Sequence, residues 1–151
     1  MNRLFFRVTA LLVLAVALLP GCGSIRPAAD QSHLLTFTTQ LRGANEVPPV
    51  SSIGSGLVDA VLNKDTNLLR WKITFTNLSG PATAGHFHGP AAIGANARVV
   101  LPFPGQMAPV MEGSATLTAA QVADLVAGRW YANIHTAAHP GGELRGQMTL
   151  R

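Results

Sequence analysis

From residue 33 onward the chain alternates apolar and polar positions with a period of two. In HLLTFTTQL, residues Leu35, Phe37, Thr39 and Leu41 share one side. In LLRWKITFT the alternation is cleaner: Leu69, Trp71, Ile73 and Phe75 face one way, and Arg70, Lys72, Thr74 and Thr76 the other. Such a pattern predicts half-buried antiparallel strands. Between the two, IGSGLVDAVL is a weaker strand whose glycines point to a bulge or a close backbone approach. The turn cluster NKDTN, residues 63–67, closes it into a hairpin with the next strand. Further strands are expected over 84–88, 98–101, 110–117, 130–136 and 143–150.

One segment breaks the period. In TLTAAQVADLVAGR, Thr118 stands three residues before Gln121, the spacing of a capping box. Val122, Leu125 and Val126 form a short apolar stripe, and Gly128 is placed to end it. Short strands, Gly/Pro-rich connections and a single small helix predict an all-β fold. The expected form is an Ig-like or Greek-key β-sandwich, or an open barrel, with one short helix.

The N-terminus follows a different plan. Arg3 and Arg7 make a short positive segment, and Val8 to Leu19 is apolar apart from Thr9. About a dozen apolar residues is short for a membrane span and has the layout of an export signal. LLPGC, with Leu19 three positions ahead of Cys22 and Gly21 just before it, resembles a bacterial lipoprotein signal. The resemblance implies that Cys22 is lipid-modified and becomes the first residue of the mature chain. Cys22 is the only cysteine, so no intramolecular disulfide can form. A free thiol in an oxidising compartment would be a liability that acylation removes. Gly23 and Ser24, and no aspartate, follow the cysteine, which by the same resemblance implies no inner-membrane retention. The expected location is exported and lipid-anchored to a bacterial membrane. That means the outer membrane and periplasm in a Gram-negative cell, and the cell surface otherwise.

The resulting division is a signal peptide over 1–21, a small polar tether over 22–32 and one domain over 33–151. The whole chain carries a formal charge of +4. Without the first 21 residues, 130 remain, with 9 basic and 7 acidic side chains. No Lys/Arg cluster is interleaved with aromatics, and a nucleic-acid surface is excluded.

The candidate chemistry centres on GHFHGPA, residues 85–91. If the segment is extended, His86 and His88 project to one face, about 7 Å apart at Cα, and Phe87 to the other. The copper–zinc superoxide dismutases carry a His-x-His of this kind on a Greek-key sandwich, an analogy of fold only. A third ligand is available in WYANIHT, where Tyr131, Asn133 and His135 share a face. ELRGQMTL places Glu143, Arg145 and Gln147 on a polar side, and the turn formers of TAAHPGG close the two into a hairpin. Pairing His135 with Glu143 sets Asn133 opposite Arg145 and Tyr131 opposite Gln147.

Two interpretations follow. In one, His86, His88 and His135 bind copper or zinc, for which imidazole is a shared preferred ligand. Asn133 or Glu143 then holds a ring N–H from behind, and Arg145 stabilises an anion or offsets charge. In the other, the same groups form a hydrogen-bonded network that fixes strand register, with Glu143 and Arg145 as an ion pair. Glu46, in ANEVPP, is expected to reach a neighbouring backbone or cap a loop. Met107 and Met111 are expected to pack a loop, and Trp71 and Trp130 the core.

Four motifs in order carry a family resemblance: LRGANEVPPV (41–50), AGHFHGPA (84–91), LTAAQVADLVAGRWYANIHT (117–136) and PGGELRGQ (140–147). Together they resemble the CHRD domain, named after chordin and found in many bacterial secreted proteins. The resemblance implies an extracytoplasmic β-rich domain and, from chordin, a setting of protein–protein binding. It therefore implies a binding module with a protein or surface partner, beside the membrane reached through Cys22. His139 departs from the family pattern and is set aside. Enzyme chemistry is the least supported: there is no Gly-x-Ser-x-Gly nucleophile and no phosphate-cradling loop. A superoxide-dismutase-like activity would need an open, redox-active copper.

Overall fold

The computed structural model describes residues 31–151; the expected signal peptide, Cys22 and most of the tether lie outside the described residues. The strands are β1 (Leu34–Arg42), β2 (Ser55–Asn63), β3 (Leu68–Thr76), β4 (Ala82–His88) and β5 (Val99–Pro102). They continue with β6 (Val110–Thr116), β7 (Tyr131–Thr136), β8 (Leu144–Gln147) and β9 (Thr149–Leu150). One α-helix, α1 (Ala119–Val126), separates β6 from β7. Its start is the expected capping box: Thr118 Oγ1 accepts from the Gln121 N–H at 3.2 Å, and Gln121 Oε1 accepts from the Thr118 N–H at 2.8 Å. No helix among the described residues is long and apolar enough to cross a membrane.

The fold is all-β. The strands form one antiparallel sheet in the order β5-β4-β7-β8-β1-β2-β3-β6, curled into a half-barrel. The meander β1-β2-β3 lies beside β8, and β4 pairs with β5 and β7 at the other end of the sheet. Strand β2 pairs without interruption from Leu34↔Asn63 to Arg42↔Ser55 on one side and along all of β3 on the other. Gly56 therefore marks a close approach and not a bulge: a Cβ there would stand 2.7 Å from the Thr74 carbonyl oxygen. The hairpin at 63–67 forms as expected, with Asn63 Oδ1 accepting from the Asp65 and Thr66 N–H groups.

The expected strand over 143–150 is corrected in two places. It is broken at Met148, whose N–H goes to the Trp130 carbonyl at 2.9 Å. The parts on either side still keep one register with β1, with Arg42 opposite Arg145 and Phe37 opposite Leu150. Glu143 lies outside the strand, which begins at Leu144.

Curling brings the two halves of the sheet together over one core. Phe87 of β4 is fully buried at its centre, edge-on to Trp71 of β3 at 5.3 Å and to Phe103 at 5.0 Å, with Trp130 at 5.9 Å. Burying such a side chain contributes about 1.5–3 kcal/mol, and a one-residue slip of β4 would lose it. The middle residue of His-Phe-His thus fixes where its two neighbours point. Trp71 and Trp130 are core, and so is Met111, which packs within the sheet and not in a loop.

Candidate metal centre

The register of three strands assembles the site. Across β4 and β7, His86 stands opposite Asn133, His88 opposite Tyr131 and Ala84 opposite His135. Across β7 and β8, Asn133 stands opposite Arg145 and Tyr131 opposite Gln147, as the sequence pairing predicts. Their neighbours Phe87, Ala132, Ile134 and Leu144 are all buried in the core on the other face. The three histidines therefore share the face that points away from the core.

There they converge. One ring nitrogen from each of His86, His88 and His135 lies within 4.8 Å of the others. His86 Nδ1 and His135 Nε2 are 3.2 Å apart. Two nitrogens bound to one tetrahedral ion at 2.0–2.1 Å would be separated by about 3.3 Å, so this spacing already matches a ligand pair. The Nε2 atoms of His88 and His135 each lie 3.0 Å from Asn133 Oδ1.

The far side of two rings is tied to backbone. His88 Nδ1 donates to the Ala97 carbonyl at 3.0 Å, and His135 Nδ1 to the Pro140 carbonyl at 2.9 Å. These contacts set the tautomer and turn both Nε2 lone pairs into the cup. Burial, then the neighbouring rings of His135 and His88, lower the pKa of His86. Burial also lowers that of His135, with His88 adding to it against the Pro140 carbonyl. Both shifts favour neutral imidazole, the form that binds metal.

The loop over residues 89–98 is tied to the His88 side of the cup. Arg145, only 2% exposed, donates to Asn96 Oδ1 at 2.7 Å and to the Ala95 carbonyl, and its guanidinium lies 3.5 Å over the Tyr131 ring. His88 is stacked on Tyr131 with ring centroids 4.7 Å apart. Tyr131 Oη donates to the Ala97 carbonyl at 3.4 Å.

Three placements differ from expectation. Arg145 makes its hydrogen bonds to the 89–98 loop and none to the histidines. Glu143 turns away from them: its carboxylate accepts from Ser52 Oγ at 2.7 Å, Ser79 Oγ at 2.6 Å, Ser79 N–H at 2.9 Å and Thr136 Oγ1 at 2.7 Å. The reason is local. Glu143 precedes β8, after Gly142 at a φ of 130°, so strand alternation does not govern its side chain. Asn133 faces the inward nitrogens; the ring N–H groups are held by the two carbonyls instead. A Glu143–Arg145 ion pair is not formed either. The ion pairs among the described residues are Lys72–Glu112 and Arg129–Asp124.

Burial on its own raises the Glu143 carboxyl, but the hydrogen bonds from Ser79, Thr136 and Ser52 outweigh it and hold the pKa at about 2. Glu46 is the opposite case. It is 6% exposed, its Oε1 has no hydrogen-bond partner, and burial pushes its pKa up to about 7 despite the Arg145 charge and the Val47 N–H. His139 stands outside the cluster.

Sequence reasoning missed the carbonyls of Ala97 and Pro140, because backbone acceptors leave no residue signature. It also missed Asn96 as the end point of Arg145. The GANA run over 94–97 reads only as a loop.

The described residues form an all-β half-barrel with three imidazoles converging on the outer face of one half. The CHRD domain family model matches residues 37–148, and the chain belongs to that family. No curated protein and no solved structure matches the chain.

Proposed function

We propose that this chain is an exported binding module whose ligand is a transition-metal ion, copper or zinc, held by His86, His88 and His135. The observation that carries the reading is the convergence of three imidazole nitrogens within 4.8 Å, with two of the rings tied from behind. Imidazole sets suit these two ions, and hydrogen-bonded ring N–H groups are the usual support of such ligands. Membership of the CHRD family supports a binding role. Export and attachment through a lipid on Cys22 belong to the same reading and are supported by the sequence around LLPGC. An anchored metal-holding domain would retain the ion at a membrane surface.

The test is a titration of the purified protein with Cu(II) and with Zn(II). Wild type is expected to take up one ion per chain. His86→Ala and His135→Ala should each weaken binding at least ~10-fold, since losing a ligand costs no less than losing its support. His139→Ala should bind like wild type. Equal uptake by all four proteins would remove the site.

A further inference from the structure

The hydrogen bonding inside the cup does not close, and the residue at its middle is Asn133. His88 Nδ1 and His135 Nδ1 each face a carbonyl, which only accepts, so each carries its ring's proton. The two Nε2 atoms then carry lone pairs, and both stand 3.0 Å from Asn133 Oδ1, a further acceptor. His86 Nδ1 approaches His135 Nε2 from a third side at 3.2 Å. A proton on His86 Nδ1 closes the contact to His135, and the two contacts to Asn133 Oδ1 remain acceptor against acceptor. A single cation satisfies all of them.

The Asn133 amide has another orientation open to it, in which it donates both N–H groups to the two rings and closes the cup without an ion. Glu46 opposes that turn. Its unpartnered, buried Oε1 and the Asn133 Nδ2 flank the same spot, the place where a side chain on Gly142 would begin: a Cβ there would run into Glu46 Oε1 and stand 3.0 Å from Asn133 Nδ2. When ionised, Glu46 attracts the amide N–H on that side and repels the amide oxygen. Gly142 is the residue that leaves the space open, and its φ of 130° suits glycine besides.

Resting on the metal reading above, we propose that the amide oxygen of Asn133 is the fourth donor of the site, and that Glu46 is the positioning residue that keeps it turned inward. Three imidazoles and one amide oxygen complete a four-coordinate shell. That is the pattern of a site that holds its ion, in contrast to one that keeps a position open for substrate. The neutral amide is the weakest of the four donors, so it is the one an incoming anion displaces.

The experiment measures two affinities in the full chain: that of Zn(II), by competition with a chromophoric chelator, and that of azide for the Cu(II)-loaded protein, by its charge-transfer absorption. Asn133→Ala is expected to lose ~10-fold or more in Zn(II) affinity and yet to bind azide more tightly than wild type, because a position has opened. A residue that merely supports the fold would lower both. Asn133→Asp keeps the shape, adds charge, and should bind Zn(II) more tightly than wild type. Glu46→Gln should weaken Zn(II) binding severalfold in the wild-type background. It should have no effect beside Asn133→Asp, where an oxygen faces the ion in either orientation. If wild type binds, His86→Ala does not, and Asn133→Ala equals wild type in both affinities, the fourth donor is overturned and the metal reading stands. If wild type takes up neither ion, both fall.

Discussion

His135 and Thr136 are adjacent on β7, yet they open onto polar clusters of opposite character. On the Thr136 side, the Glu143 carboxylate is fully buried and receives four hydrogen bonds from Ser52, Ser79 and Thr136. On the His135 side, ring nitrogens and the Asn133 oxygen face one another as acceptors, and Glu46 Oε1 nearby has no partner. Both clusters bury polar groups, and sequence alone gives them similar compositions. The difference lies in how donors and acceptors balance. A balanced cluster holds three loops together and has nothing left to bind. An unbalanced one carries an energetic cost that a ligand can relieve.

Breaking the balanced cluster should have the largest effect. Glu143→Ala strands three hydroxyls and an N–H, and is expected to cost about 3 kcal/mol or more in urea unfolding. Zn(II) affinity should change little in whatever fraction folds. The same group predicts an acid limb in wild type. Its folded pKa of about 2 lies below the ordinary 4.5, so its stabilisation is present above pH 4.5 and is lost as pH falls towards 2. A Glu143→Gln protein that kept the wild-type acid limb would refute the assignment.

Glu46 should behave with the opposite sign. Its folded pKa of about 7 lies above 4.5, so the folded state is favoured when the group is protonated and is penalised as pH rises from 4.5 through 7. Glu46→Gln is therefore expected to match wild type near pH 4 and to exceed it by up to about 3 kcal/mol at pH 8. Chemical unfolding at the two pH values decides this. A gain in stability together with weaker Zn(II) binding would mark Glu46 as a group kept for function at the expense of the fold.

The smallest change serves as a control away from both clusters. Thr118→Ala removes the α1 capping box and should cost about 1 kcal/mol at every pH, with no change in metal affinity. A metal effect there would mean that the cup responds to general destabilisation, which would blur the contrast.

Much of the arrangement was legible in the sequence because strand alternation is a strict rule with a short range. It placed His86 with His88 on one face of their strand and Tyr131, Asn133 and His135 on one face of theirs, and the even register of the last hairpin put Asn133 opposite Arg145. The rule failed at Glu143, one residue outside the strand, where loop geometry took over. It also said nothing of Arg145 reaching 50 residues back to the Ala95 carbonyl, since a long side chain chooses its partner from whatever the fold brings near.

By itself, the sequence determined the all-β class, the capped helix, the hairpins and the shared face of His86 and His88, each a consequence of local periodicity or local capping chemistry. Only the tertiary structure decided that the three rings meet, that two of them are held from behind by Ala97 and Pro140, and that Glu143 belongs to a different cluster. Those outcomes depend on how far the sheet curls and on where three loops cross it. They are set by packing between residues distant in the chain, which no local pattern encodes.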